Sequence, residues 1–323
     1  MQEIVFLKQN APRWQRFENL LGAIPRADPD ALATLFIELT DDLSYARTFY
    51  PGSETTRYLN ELTARVHQQI YRNKKESRSR LRHFWVEEFP RQLQRAHKEL
   101  FYAALVFALA VFIGVVSAAN DEGFVRLILG DRYVNMTLSN MASGDPLAIY
   151  KSMSQVDMFL GITFNNVRVA LLAFVAGVLF SFGTGFILFY NGVMLGVFHY
   201  LFYKNGLLAA ALLTVWIHGT LEIAAIVVAG CAGLVIGNSI LFPGTYSRGH
   251  SFRRGARQGL KIAIGLVPIF VVAGLLEGFV TRYTEMPVWL SLAIIGASLV
   301  FAVWYFILYP LRLHAQEKGH AKR

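Results

Sequence analysis

Five long stretches of this chain carry little or no charge, and nothing constrains its fold more. Residues 100–120, 169–203 and 286–311 hold no Asp, Glu, Lys or Arg; residues 205–247 hold only Glu222, and 262–281 only Glu277. A helix needs about 20 mostly apolar residues to cross the hydrocarbon of a bilayer. The chain therefore reads as all-α: a polytopic membrane protein of about six spans with an N-terminal helical domain. Its 54% hydrophobic and 16% charged residues depart from the roughly 45–50% and 25% of soluble domains in the same direction. A soluble enzyme, a nucleic-acid-binding module and a secreted disulfide scaffold are excluded. Cys231, the single cysteine, lies inside an apolar run and can build neither a disulfide framework nor a cysteine zinc site within one chain.

The net charge of +9 is explained by where the basic residues sit. Residues 72–98 carry Arg72, Lys74, Lys75, Arg78, Arg80, Arg82, Arg91, Arg95 and Lys98 against Glu76, Glu87 and Glu88. The loop 242–261 has Arg248, Arg253, Arg254, Arg257 and Lys261 and no acid, and the tail 312–323 has Arg312, Lys318, Lys322 and Arg323 against Glu317. Lys and Arg collect on cytoplasmic flanks, so these parts are expected in the cytoplasm and 120–165 outside. The first apolar run begins near residue 100, so insertion is expected from an internal segment rather than a cleaved signal.

Residues 1–98 read as a cytoplasmic basic helical domain, with apolar positions Phe17, Leu20, Leu21, then Leu32, Leu35, Phe36, Leu39, then Tyr58, Leu62, Val66 and Ile70 at helical spacing. Phe84, Trp85 and Phe89 interleave with the basic residues of 72–98. That stretch either lies along an anionic membrane surface as an amphipathic helix or holds the first span's amino end in place. The membrane domain 99–311 divides into expected spans at about 100–119, 166–190, 192–214, 216–241, 262–281 and 287–310. Lys204-Asn205-Gly206 interrupts the third, so 192–203 is either a full crossing or a re-entrant half-helix. In 120–165, Pro146, Leu147, Ile149, Tyr150, Met153, Val156 and Phe159 suggest a short amphipathic helix on the outer face.

Small residues recur at four-residue spacing in Gly192/Gly196, Gly233/Gly237 and Gly274/Gly278, which lets helix backbones approach, either within one bundle or at a homodimer face. The polar residues at membrane depth are the functional candidates, because an ionisable group there costs several kcal/mol unless partnered. His218 and Glu222 are four apart and share a helix face; they can bond each other, hold a metal or relay a proton. As a pair they fall short of the three or four protein ligands zinc normally takes, so no metal and no cofactor is expected. Glu277 lies one turn from the outer end of its span, at a depth similar to Glu222, so the two carboxylates can share a polar cavity. Asn165, Asn166 and Asn191 sit at expected span ends as caps, and His199 is expected to be a packing histidine on an apolar face.

Four motifs occur in order: Phe164-Asn165-Asn166-Val167-Arg168-Val169-Ala170, Asn191-Gly192-Val193-Met194-Leu195-Gly196, His218-Gly219-Thr220-Leu221-Glu222 and Leu276-Glu277-Gly278-Phe279-Val280-Thr281. Together they resemble the stage II sporulation protein M family of bacterial and archaeal integral membrane proteins, over about 100–310. The resemblance implies a multi-span plasma-membrane protein. The sporulation member anchors a complex with two partners that degrade peptidoglycan, and many relatives neighbour genes for a chaperone-like ATPase and von Willebrand-type adhesion domains. Ile217 stands where the family pattern often has Pro, and the long basic amino domain is unlike the short start of the sporulation member. Two functions are open: a non-enzymatic scaffold that assembles envelope-acting or ATPase-linked partners, and a transporter or channel lined by His218, Glu222 and Glu277. Membrane lipids and other envelope proteins are the expected partners; nucleic acid is not.

Overall fold

The structure, a computed structural model, describes residues 2–22, 29–70, 79–148, 154–283 and 286–320. Among them every regular element is helical. The chain divides into two compact units, Met1–Arg80 and Leu81–Arg323. Of the sequence expectations, those on Arg72, Lys74, Lys75, Glu76, Arg78, Ile149, Tyr150, Met153, Lys322 and Arg323 fall outside the described residues.

The first unit packs α1 (Glu3–Gly22), α2 (Pro29–Phe49) and α3 (Glu54–Ile70) around Phe6, Trp14, Phe17, Leu39, Leu43, Ala46, Leu59 and Leu62. Asp42 is the one acid drawn into that core among the described residues; Trp14 Nε1 donates to it at 2.8 Å and Arg13 pairs with it closely. Such charge-assisted bonds offset the cost of burying a carboxylate. Ser53 caps α3, its Oγ accepting from Thr56 N at 3.2 Å.

The second unit, from Leu81, opens with the end of α4 (Ser79–His83), a π-helical turn Phe84–Glu88 and α5 (Phe89–Arg95). Sequence reading offered this stretch as a membrane-surface helix or a charged flank; its part from Leu81 onward is instead built into the bundle. Phe89 is fully buried and sits on Gly265, where a Cβ would fall 1.9 Å from the ring. Trp85 Nε1 donates to Gly265 O at 3.1 Å, and Lys261 pairs with Glu88 at 2.7 Å. Pro90 has no N–H to give to Val86 O, and the Tyr309 hydroxyl donates to that carbonyl at 2.9 Å while Tyr305 does the same for Trp85 O at 2.8 Å.

Six helical runs among the described residues are long and apolar enough to cross a membrane: His97–Asn120, Gln155–Val178, Phe182–Lys204, Leu208–Leu241, Arg248–Thr281 and Val288–Gln316. They contain α6 (His97–Asn120), α9 (Gln155–Val175), α10 (Phe182–Lys204), α11 (Leu208–Leu241), α12 (Arg248–Gly265) with α13 (Val267–Leu275), and α14 (Val288–Val303) with α15 (Tyr309–His320). Between α6 and α9 lie α7 (Glu122–Leu129) and α8 (Asp131–Ala142). The two middle breaks differ from expectation. α9 starts at Gln155, not near 166, because Ser154 caps it, its Oγ accepting from Asp157 N at 3.2 Å. Val156 and Phe159 thus open a span rather than an outer-face helix, and Leu147 is buried beside Phe202 and Ala211.

The chain then reverses at Phe180 and Ser181, both left-handed, so 166–190 is not one helix. The end of α10 is a Schellman motif: Gly206 takes φ 72°, Gly206 N reaches Tyr203 O at 3.0 Å and Leu207 N reaches Phe202 O at 2.9 Å. Lys204-Asn205-Gly206 is therefore a helix stop, and 192–203 is the second half of a continuous helix rather than a re-entrant piece.

Backbone contact at glycine organises the bundle. A Cβ on Gly196 would fall 2.2 Å from Val111 O, one on Gly192 2.7 Å from Phe107 O and one on Gly114 2.4 Å from Val193 O, which locks α10 against α6. Gly233 is equally close to Ala173 O, and Gly237 to Ser181. The expected glycine pairs are thus consumed inside one chain.

On the α7–α8 side, Val125 and Val134 pack with Ala118, Val193, Val197 and Leu201. The exposed Glu122 pairs there with Lys204, which holds its carboxyl below the usual 4.5. A depressed carboxylate contributes stability above its unfolded pKa and loses it as pH falls through the folded value. Acidification below about 4 is expected to lower the amide protection factors of α7, referenced to the intrinsic exchange rate at each pH, and Glu122→Gln to remove that pH dependence; the effect is small because the pair is solvated.

Candidate functional site

α11 is the buried axis of the membrane unit, and its apolar composition leaves His218 and Glu222 as its only basic or acidic side chains besides the Cys231 thiol. Four residues apart on one helix face, they point toward the π-helical turn Leu276–Thr281 that ends α13. Gly274 and Gly278 let that segment close onto α9: their Cβ positions would fall 2.1 Å from Thr163 Oγ1 and 2.9 Å from Gln155 O. Glu277, between the two glycines, is thereby carried to the α11 face. Its Oε2 lies 3.5 Å from His218 Nε2, and ligating atoms of His218, Glu222 and Glu277 all lie within 4.8 Å of one another. His218 and Glu277 are buried and Glu222 partly so. A π-bulge at such a cluster is a frequent mark of a functional site.

Second contacts orient the cluster. Thr281, four residues past Glu277 and fully buried, donates its hydroxyl to Leu276 O at 3.2 Å; its oxygen stands 2.9 Å from His218 Nδ1. Nδ1 being engaged by Thr281, the imidazole presents its Nε2 to Glu277. Asn166 on α9 is 4% exposed and its side-chain amide lies against the Glu222 carboxyl. Chemically the group can hold a cation or pass a proton; two carboxylates this close in low dielectric cannot both carry uncompensated charge.

The remaining candidates separate from the cluster. His199 accepts Trp216 Nε1–H at Nε2, 2.9 Å, and gives Nδ1–H to Leu195 O at 2.8 Å, which makes it a packing histidine that ties α10 to α11. Asn191 donates back to Ile187 O at 2.8 Å in mid-helix and caps no end. Asn165 is exposed near the middle of α9, and so is Arg168, three residues on. The expected span 166–190 had Arg168 at its outer end; with α9 starting at Gln155, it lies past the middle of the helix instead. Thr281 and Trp216 had been given no role, although Thr281 stands one helical turn from Glu277 in the quoted motif.

On the side of the bundle where α12 begins, Arg95, His250, Arg253, Arg254, Arg257 and Lys261 line a basic hollow of about 440 Å³. The Arg254 guanidinium lies 5.5 Å from the Tyr246 ring centre.

The fold and site define a multi-pass helical membrane protein with an ionisable cluster buried between its central helix and a π turn. The family model for stage II sporulation protein M matches residues 103–282, and the chain belongs to that family. A second model, a domain of unknown function (DUF8413), matches residues 4–72. No curated protein matches the chain, and no solved structure does.

Proposed function

We propose that this protein is a non-enzymatic membrane scaffold, seated in a bacterial plasma membrane with both termini cytoplasmic, that assembles envelope-acting or ATPase-linked partners. One observation carries the reading: Arg168 and Asn165 are exposed side by side near the middle of α9. An arginine facing lipid at that depth costs about 2.5–3.5 kcal/mol or more, which a partner's helix supplying acceptors would remove. The basic residues on the α12 side support a cytoplasmic position for that side by the positive-inside rule, which would leave α7 and α8 outside as a docking face.

A transporter is the second reading, favoured by the His218–Glu222–Glu277 cluster. Mild-detergent purification from native membranes separates the two. The scaffold predicts a near-stoichiometric partner with wild type and its loss with Arg168→Leu, while the variant stays monodisperse. A partner-free wild type, with liposome flux abolished by Glu277→Gln, would overturn the scaffold in favour of transport.

A further inference from the structure

We propose that His218, Glu222 and Glu277 are the three protein ligands of a divalent first-row cation of the zinc class, held between α11 and the π turn Leu276–Thr281. The pair His218/Glu222 alone falls short of a site; the fold supplies the third ligand from 55 residues further along the chain. Around a tetrahedral zinc with bonds of about 2.0–2.1 Å, neighbouring ligand atoms stand about 3.4 Å apart. His218 Nε2 and Glu277 Oε2 are 3.5 Å apart. With all three ligating atoms within 4.8 Å, rotamer adjustments of the glutamates close the set.

Charge and orientation agree with that geometry. One dication with two carboxylates and a neutral imidazole is a neutral assembly, which removes the penalty of two anions at membrane depth. The Thr281 hydroxyl engages Nδ1 at 2.9 Å and aims Nε2 into the cluster; in the metal-bound state Nδ1–H would donate to Thr281, the outer contact that ligating histidines normally have. Independently, the buried Asn166 amide lies against the Glu222 carboxyl; a metal-bound Glu222 would keep its outer oxygen on that donor. An imidazole with two carboxylates suits zinc, manganese or iron, whereas calcium takes six to eight oxygens. The fourth position is left to water. The assignment is independent of whether the protein is a scaffold or a transporter.

The test uses the full chain in detergent without an affinity histidine tag. Protein stripped with a chelator is dialysed against zinc, and bound metal is measured by mass spectrometry. About one zinc per chain is expected for wild type, and under about a tenth of that for monodisperse Glu277→Gln and His218→Ala. Asn166→Ala should weaken binding by about 10- to 100-fold as a positioning residue, and Asn165→Ala, at the exposed neighbour, should change nothing. Cobalt titration of wild type gives a readout that needs no variant: a visible band of low-coordinate cobalt, displaced by zinc, is expected. Monodisperse wild type that takes up no zinc and gives no cobalt band would overturn the proposal and leave a shared proton in the cluster. Stoichiometric zinc retained by both ligand variants would overturn it as well.

Discussion

Gly233→Val is expected to yield no folded, monodisperse protein. The Cβ it introduces would fall 2.3 Å from both Ala173 O and Thr184 Oγ1, and the opposing Gly177 is so close that its own Cβ would meet Gly233 O at 2.0 Å. Backbone cannot step aside as a flexible side-chain end can, so overpacking here costs ~3 kcal/mol or more. Thr184 is already committed, donating to Ala173 O at 2.7 Å from full burial. Gly296→Ala is the matched control: nothing lies within 4 Å of its Cβ position, and replacing a mid-helix glycine should gain up to about 1 kcal/mol. Fluorescence size exclusion and thermal unfolding of both variants check the pair. A well-folded Gly233→Val protein with wild-type melting would show that α9, α10 and α11 do not meet at this point.

Phe89→Ala is expected to cost about 3–5 kcal/mol, the usual loss on truncating a fully buried phenylalanine. Phe89 stacks on Tyr305 with ring centres 5.6 Å apart, contacts Phe306 and fills the space above Gly265. Its removal undocks the π turn Phe84–Glu88 from the carbonyl and hydroxyl contacts of Gly265, Tyr305 and Tyr309. Trypsin should then cut at Arg91 and Arg95 about tenfold faster or more, because cleavage tracks the open population. Unchanged cutting, with unchanged thermal stability, would mean that this stretch is a solvated flank after all.

The Phe89 result bears on what a linear reading of the chain can reach. Residues 81–98 are basic enough to look like a charged flank, yet their aromatic residues are spent on the bundle, through partners that lie 170 to 220 positions away. No local window signals that Gly265 leaves room for a phenyl ring. The helix stop at Gly206 was nearer the surface of the sequence: Lys204-Asn205-Gly206 was seen as an interruption, and the Schellman hydrogen bonds make it an end. The start of α9 was hidden because Asn165 and Asn166 looked like caps of a span beginning near 166. A Ser-x-x-Asp cap at Ser154 was the signal to weigh against them.

The sequence by itself determined that the chain is helical and membrane-embedded, since charge depletion over about 20 residues is a local property that only a spanning helix uses well. It also placed His218 and Glu222 on one face, because four residues make one helical turn, and marked Glu277 as a carboxylate at comparable depth. The tertiary structure decided that the three side chains meet, that Thr281 and Asn166 surround them, and that the glycine pairs serve contacts within one chain. The reason is that helix periodicity says which residues share a face but not which faces touch. That choice rests on where small residues permit two backbones to close, and Gly274 and Gly278 against α9 make it for Glu277.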